Sequence, residues 1–412
     1  MSQLSIDTNI IDPSLFPQEQ GPPHKVFDLW REQDPVHWNP VNPDYICTQP
    51  MSKMEKGFWV LTRYDDVWKV SMDQELFCSH EDGFMIWDLD EPMLQAHRAN
   101  FMGMLPDKHK KVRLKMMPPF MPKSMNDFEP RVFQVAKELI DEASQQNSCE
   151  FVFEVASKLP IYTFCELMGI PEELREEVAH YGNGISDVET RASHSLDPMI
   201  SLHQIAENLT KEKRANPDGL LMSTIVNDTD LSLSQEEINQ FFVVYAMAGH
   251  ETTRSTSAHF LYLMDQNPDQ FEILMSDFDA HIDNAIDEVL RYTSTTTNFR
   301  RTAMEDTDIG GCAVKKGDKI YLGYAAANRD PSVFENPHKF DITRPNASKH
   351  LAFGVGPHVC IGARLARMQL RAILSEIYKR FPNIKITGEA EWMASIWFNA
   401  IIKLPVAFTP DA

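Results

Sequence analysis

Apolar positions along the chain recur mostly three and four residues apart, the spacing of helix faces, with short β-branched or aromatic runs between them. Residues 25–34 carry the first helical pattern. Phe58-Trp59-Val60-Leu61-Thr62 reads as a strand, and Tyr64-Asp65-Asp66 opens a short helix. Between 124 and 230 the pattern predicts several amphipathic helices, clearest at 137–141 and 156–168. Another begins at Pro171, since proline suits a first helical position. Ser234 and Glu237 make a capping box, and the pattern beyond them predicts one long helix to about Gln266, stopped by Asn267-Pro268. Glu288 and Arg291 sit on a further helix. Ile309-Gly310-Gly311-Cys312 and Lys315-Lys316-Gly317-Asp318 read as turns around short strands, and residues 320–325 as a strand. A strong helical pattern resumes at 363–371, and residues 395–402 read as strand and turn. Two stretches lack a period. Residues 1–24 are polar and proline-spotted, the composition of an irregular surface arm. Residues 77–102 read as an irregular segment yet hold Phe84, Met85, Ile86, Trp87, Leu89, Met93 and Leu94, too much apolar surface for disorder. The fold class expected is mainly α with small β-sheets, one domain over 25–412 behind the arm.

Composition narrows the partners. The chain has 412 residues, Lys+Arg 39 against Asp+Glu 60 and a formal net charge of −21. Such acidity argues against nucleic acid and anionic membrane. Residues 1–24 contain no Lys or Arg and no apolar core, so no secretory signal is expected, and the apolar run 241–249 is far short of the ~18 residues that span a bilayer. A cytoplasmic monomer is the expectation. The six cysteines, Cys47, Cys78, Cys149, Cys165, Cys312 and Cys360, include no CxxC pair, which disfavours zinc ribbons, thioredoxin-type sites and covalent haem attachment.

One of these cysteines has unusual surroundings. In Phe353-Gly354-Val355-Gly356-Pro357-His358-Val359-Cys360-Ile361-Gly362 two glycines permit a tight bend and close approach to a flat ligand. Cys360 stands before a helical pattern, whose dipole favours a thiolate. The long helix has an equally unusual centre, Ala248-Gly249-His250-Glu251-Thr252-Thr253. Ala248, Gly249 and Tyr245 share the face of Thr252, and a mid-helix glycine costs about 1 kcal/mol against alanine. A buried helix tolerates this where something must come close. Thr252 is placed to bond back to the carbonyl of Ala248. His250 lies about 160° around the helix from Thr252 and is not read as a ligand. His109 and Arg113, four apart, share one helix face, with Lys108, Lys111 and Lys115 roughly opposite.

Residues 353–362 match the haem-binding loop of the cytochrome P450 family, Phe-Gly-x-Gly-x-His/Arg-x-Cys-x-Gly, at every fixed position. With His109/Arg113, 248–253 and Glu288/Arg291 in the same order, the chain resembles that family over about residues 25–410, in its soluble bacterial branch and most like terpenoid- and steroid-oxidising members. The resemblance implies the P450 fold, with haem between the long helix and the cysteine-loop helix, and haem b held by the Cys360 thiolate as axial and metal ligand. The implied cofactor-binding residues are His109, Arg113, Ala248, Gly249, Arg301, Phe353, Gly354, His358, Cys360 and Gly362, with Arg300 as the alternative to Arg301. Glu251 and Thr252 resemble the oxygen-activation pair that delivers protons. Glu288, Arg291 and Arg344 resemble the trio that braces the cysteine loop. Met104-Leu105-Pro106 departs from the family's Asp-Pro-Pro before the His109 helix.

The substrate pocket implied has Phe84 and Trp87 in its roof, Tyr245 on the long helix, Trp397 and Phe398 at a turn tip, and a hydroxyl-rich run, Thr295-Thr296-Thr297, where relatives often carry proline and an apolar residue. Residues 186–205 correspond to lid helices. The lysine face, with Arg364, Arg367 and Arg371, suits an acidic ferredoxin, itself served by a reductase. The expected reaction inserts one atom of O2 into a C–H bond of a hydrophobic small molecule, a terpenoid or steroid. A peroxide-driven fatty-acid peroxygenase typically lacks the Glu251-Thr252 pair, and a non-catalytic haem sensor needs no Thr252.

Overall fold

The computed structural model describes residues 5–12, 15, 21–42, 52–186, 197–393 and 395–408. They form two compact units: Met1–Pro106, Asp287–Cys360 and Met393–Asn399; and Asp107–Ile286, Ile361–Trp392 and Ala400–Ala412. Parts of the arm expected at 1–24, and residues 187–196 of the expected lid, lie outside the described residues.

The first unit is built on a five-stranded sheet. Lys319–Gly323 lies parallel to Phe58–Leu61 and antiparallel to Asn298–Ala303; Val36–Asn39 and Phe77–Cys78 complete the two edges. The β-branched and aromatic residues of these strands suit a pleated sheet whose central strands are buried on both faces. Val36, Leu61, Ile320 and Leu322 join Val67 and Val70 of the helix Tyr64–Met72 in a common core, all nearly inaccessible to water. Each such side chain contributes about 2 kcal/mol on leaving water. The predicted strand at 320–325 is shorter than expected: it ends at Gly323 and turns into the helical Tyr324–Ala327.

Residues 77–102 are less irregular than their sequence suggests. Phe77–Cys78 and Asp88–Leu89 are strands, and Glu91–Ala99 is an α-helix. That helix has nine residues and buries none of them fully, so it offers too short a pattern for a period to stand out. Residues 395–400 are also not a strand. They are held by single bonds, Asn399 N–H to the Thr295 carbonyl at 2.8 Å and Thr297 N–H to the Trp397 carbonyl at 2.9 Å.

The second unit is helical. Its axis is Gln235–Gln266, which packs against Lys158–Met168, Arg175–Ser186, Asp197–Ala215 and Ala363–Arg380. The capping box forms as read: Glu237 N–H donates to Ser234 Oγ at 3.2 Å and Ser234 N–H to Glu237 Oε2 at 2.9 Å. Lys158–Met168 is preceded by a π-turn, Val152–Ala156, which displaces the expected start at 156. Two small sheets complete the unit: Lys385–Ile386 with Pro405–Ala407 and Ser148–Glu150, and Glu391–Trp392 with Ile401–Lys403. Among the described residues no helix is long and apolar enough to cross a membrane.

Candidate active site

In the second unit the long helix is buried along most of its length, but Ala248 and Gly249 are exposed and Thr252 is half-exposed. A Cβ placed on Gly249 would meet nothing within 4 Å. The helix thus keeps one bare face at its middle. Thr252 stands on it, its hydroxyl donating to the Ala248 carbonyl at 2.9 Å as the sequence suggests. Glu251 points elsewhere. It is fully buried, accepts from Ser255 Oγ at 2.7 Å and is paired with Arg254. Burial alone would raise its pKa, but the Arg254 guanidinium, His250 and the two hydrogen bonds hold the carboxyl below its ordinary value. Arg254 in turn donates to Asn183 Oδ1 at 3.0 Å. His250 is buried with neither ring nitrogen bonded, and burial next to Arg254 pushes it down to about 3, so it stays neutral.

His109 is buried and Arg113 half-buried on Pro106–Met116, one turn apart. Of the lysines opposite, Lys108 pairs with Glu237 and Lys115 with Asp228 at 2.6 Å. Two of the three therefore tie down their own unit rather than stand open for a partner; Lys111 is exposed. On Ala363–Arg380, Arg371 pairs with Asp283 at 2.6 Å, whereas Arg364 is exposed. Tyr245 packs on Phe241, ring centroids 4.6 Å apart, and its hydroxyl lies 3.8 Å from Met116 Sδ.

In the first unit the cysteine loop bends where its glycines allow. Gly354 and Gly356 have φ of 66° and 77°, and a Cβ on Gly356 would come within 2.5 Å of the Ser71 carbonyl oxygen. The Cys360 N–H closes the loop onto the Phe353 carbonyl at 2.8 Å. Cys360 is exposed and in no disulfide; Phe353, Gly354 and His358 are half-buried beside it, as is Gly362 at the head of the following helix. Upstream of this loop, Glu288 and Arg291 are fully buried and joined by two hydrogen bonds of 2.7 and 2.8 Å, while Arg344 Nε reaches both Glu288 oxygens at 3.1 and 3.2 Å. The guanidiniums then hold the carbonyls of Asn328, Pro337, Glu335 and Lys339, so the trio fixes the passage that leads to the cysteine.

The structure separates the two candidate arginines. Arg300 is committed within its unit, to Asp82 at 3.0 Å and the Trp87 carbonyl at 3.0 Å. Arg301 is equally buried, yet no carboxylate pairs with it among the described residues; it donates to the Arg300 carbonyl, and burial lowers its pKa. Of the expected pocket aromatics, Phe84, Trp87, Trp397 and Phe398 lie in this unit, and Tyr245 in the other. Phe299 lies 6.4 Å from Phe84 and 5.9 Å from Trp397, and Trp397 lies 4.3 Å from Phe398. Trp87 is buried nearby in sequence. The threonines divide: Thr297 Oγ1 donates to the carbonyls of Ile396 and Trp397, so its hydroxyl does not serve a pocket, Thr295 is buried, and the half-buried Thr296 bridges to Phe398.

Each unit by itself offers features that suit haem b. In the second, the bare helix face at Gly249 would admit a plate; in the first, buried Arg301 would suit a propionate and exposed Cys360, at its glycine-shaped loop, would suit a thiolate ligand. Sequence reasoning missed Arg254 and Ser255, which hold Glu251, and Asn183, which holds Arg254. Arg254 stands three residues after Glu251, the same spacing that exposed Glu288 and Arg291, and was legible on that ground.

Comparison with known proteins places the chain in a family. The Cytochrome P450 family model matches residues 178–407. Over 98% of this chain and 94% of the relative, it is 32% identical to a steroid C26-monooxygenase of Mycolicibacterium smegmatis. It is 31% identical to the linalool 8-monooxygenase of Pseudomonas putida, over 97% of this chain and 98% of that one. A cytochrome P450 of Mycobacterium marinum, solved in complex with pseudoionone, superposes with a TM-score of 0.86 at 33% identity, covering 93% of this chain and 94% of that chain. The chain is therefore a member of the cytochrome P450 family of monooxygenases.

Proposed function

We propose that this P450 inserts one oxygen atom from O2 into a C–H bond of a terpenoid or steroid, using two electrons from a ferredoxin and its reductase. When bound, haem b would supply the oxygen chemistry, with a thiolate ligand to donate electron density to its iron. Cys360 provides that thiolate. His109, Arg113, Arg301 and His358 would hold its propionates through charge-assisted hydrogen bonds. Ala248 and Gly249 leave room for the flat cofactor and a diatomic ligand. Thr252 keeps its lone pairs available on the bare face, because its proton is directed to the Ala248 carbonyl. It orders water there. Glu251, ionised against Arg254, takes up a proton and yields it on exchanging that partner. Glu288, Arg291 and Arg344 keep the cysteine loop in shape.

The observation that carries the substrate class is the agreement among relatives. Proteins about 30% identical over nearly the whole chain are named for oxidation of a steroid and of linalool. The aromatic group of Phe84, Phe299, Trp397 and Phe398 supports an apolar guest of that kind. Haem-loaded protein titrated with pseudoionone, linalool, cholesterol and palmitic acid tests it, read by the low- to high-spin change as haem-bound water leaves. A shift with terpenoid or sterol but not palmitic acid is expected; a shift with palmitic acid alone would overturn the substrate class. For the proton route, Thr252→Ala should lower product formed per electron pair consumed by tenfold or more. Undiminished coupling would remove Thr252 from the route.

A further inference from the structure

The segment that carries Phe84 and Trp87 is attached to the sheet of its unit in an unusual way. Residues 82–88 are gripped by two buried cations on neighbouring strands. Arg300, on Asn298–Ala303, donates through Nη1 to the Trp87 carbonyl at 3.0 Å and through Nη2 to Asp82 at 3.0 Å; its backbone N–H donates to the Phe84 carbonyl at 2.8 Å. Lys319, on Lys319–Gly323, donates to Asp88 Oδ2 at 2.9 Å and reaches the Ile86 carbonyl at 3.4 Å. The strands place the cations side by side, since Lys319 is the register partner of Thr302, two residues from Arg300 and on the same face. Asp88 is bound a second time, by the backbone N–H groups of Glu55 at 2.8 Å and Lys56 at 3.1 Å. Charged groups so deeply buried are costly to place and are kept where they fix one arrangement. Here they bind main-chain carbonyls as well as carboxylates, so the backbone path of the segment, not merely its presence, is specified.

We propose that Arg300 and Lys319 are positioning residues that clasp residues 82–88 to the sheet and thereby set the height of the substrate-pocket roof. The functional half of this rests on the reading above that Phe84 and Trp87 wall the pocket. The clasp holds the roof in one substrate-ready form, and weakening either cation lets the segment lift, lowering the competent fraction and raising the apparent Kd in proportion. Neither residue touches substrate or cofactor.

The test uses haem-loaded protein with three variants. Lys319→Met removes one grip at similar length. Asp82→Asn loosens the other from its half-exposed end and spares the buried arginine, in case the first variant folds poorly. Asp82→Asn/Lys319→Met joins them. Two quantities are read: amide exchange of residues 84–88 without substrate, and Kd by spin shift for pseudoionone, with imidazole as a small haem ligand that needs no roof. The expected result is exchange about tenfold faster in that segment alone, a pseudoionone Kd raised about tenfold and an unchanged imidazole Kd, with the double variant more affected than either single one. Unchanged exchange in both single variants would overturn the clasp itself. Faster exchange with unchanged pseudoionone affinity would overturn the role of residues 82–88 as a roof and leave the monooxygenase reading standing. A spin shift absent even in the unaltered protein would instead strike the proposed substrate class.

Discussion

Glu288→Gln is the substitution whose cost the structure defines best. Glu288 is inaccessible to water and accepts from Arg291 Nε and Nη2, Arg344 Nε and the Asp341 N–H, at 2.7–3.2 Å. Glutamine keeps the shape but removes the carboxylate charge that both guanidiniums share, and it turns an NH2 towards donors. The guanidiniums cannot leave, because their remaining N–H groups hold the carbonyls of Asn328, Glu335, Pro337 and Lys339. Breaking one side of a buried pair of this kind costs about 3–5 kcal/mol. Against a total stability of about 5–15 kcal/mol this is a large fraction. Urea unfolding followed by tryptophan fluorescence, with haem absorbance read on the same samples, should show a loss in that range. Haem release should begin at lower urea than the loss of helix, because the residues leading to Cys360 are those that the trio holds. A loss below about 1 kcal/mol with haem retained would refute the bracing role.

Other substitutions separate cofactor contacts from packing. Gly249→Leu meets no protein atom within 4 Å at its Cβ, and leaving glycine favours the helix by about 1 kcal/mol; the cofactor-free protein should therefore melt no lower, while haem uptake falls severalfold. A cofactor-free protein that is strongly destabilised would show the face to be packing surface. Arg301→Gln should weaken haem binding at neutral pH, whereas Arg300→Gln should leave haem affinity alone and loosen residues 82–88; the reverse result would exchange the two assignments. Lys319 titrates at about 8 rather than at its ordinary 10.5, chiefly through burial. Below pH 8 it is charged in folded and unfolded chains alike. From 8 to 10.5 the unfolded chain holds more proton, so stability rises with pH by up to ~3 kcal/mol through this group. Urea curves should show that rise in the unaltered protein relative to Lys319→Met, and its absence would contradict the burial.

The sequence carried the chemistry better than the connections. The capping box at Ser234 and Glu237, the bend glycines before Cys360 and the Glu288–Arg291 pair each rest on local rules, and each appears where local rules put it. The helix Glu91–Ala99 stayed hidden because it is short and none of its residues is fully buried, so its few apolar positions read as part of the apolar segment around them. The choice between Arg300 and Arg301 was also closed to sequence, since adjacent strand residues point to opposite faces and either could have faced a cofactor. What favours Arg301 is that Arg300 is taken by Asp82, more than two hundred positions away along the chain. Thr297 looked like a pocket hydroxyl for the same reason. Its partners, the carbonyls of Ile396 and Trp397, arrive only when residues 395–399 fold back beside it.

The central claim is that Cys360 is the thiolate that binds the haem iron. Its most direct test is the ferrous–carbonyl spectrum of Cys360→Ser, reconstituted with haem and compared with the unaltered protein. The red-shifted Soret band that marks thiolate ligation should be present in the unaltered protein and gone in the variant, even where haem remains bound. Persistence of that band without Cys360 would contradict the account.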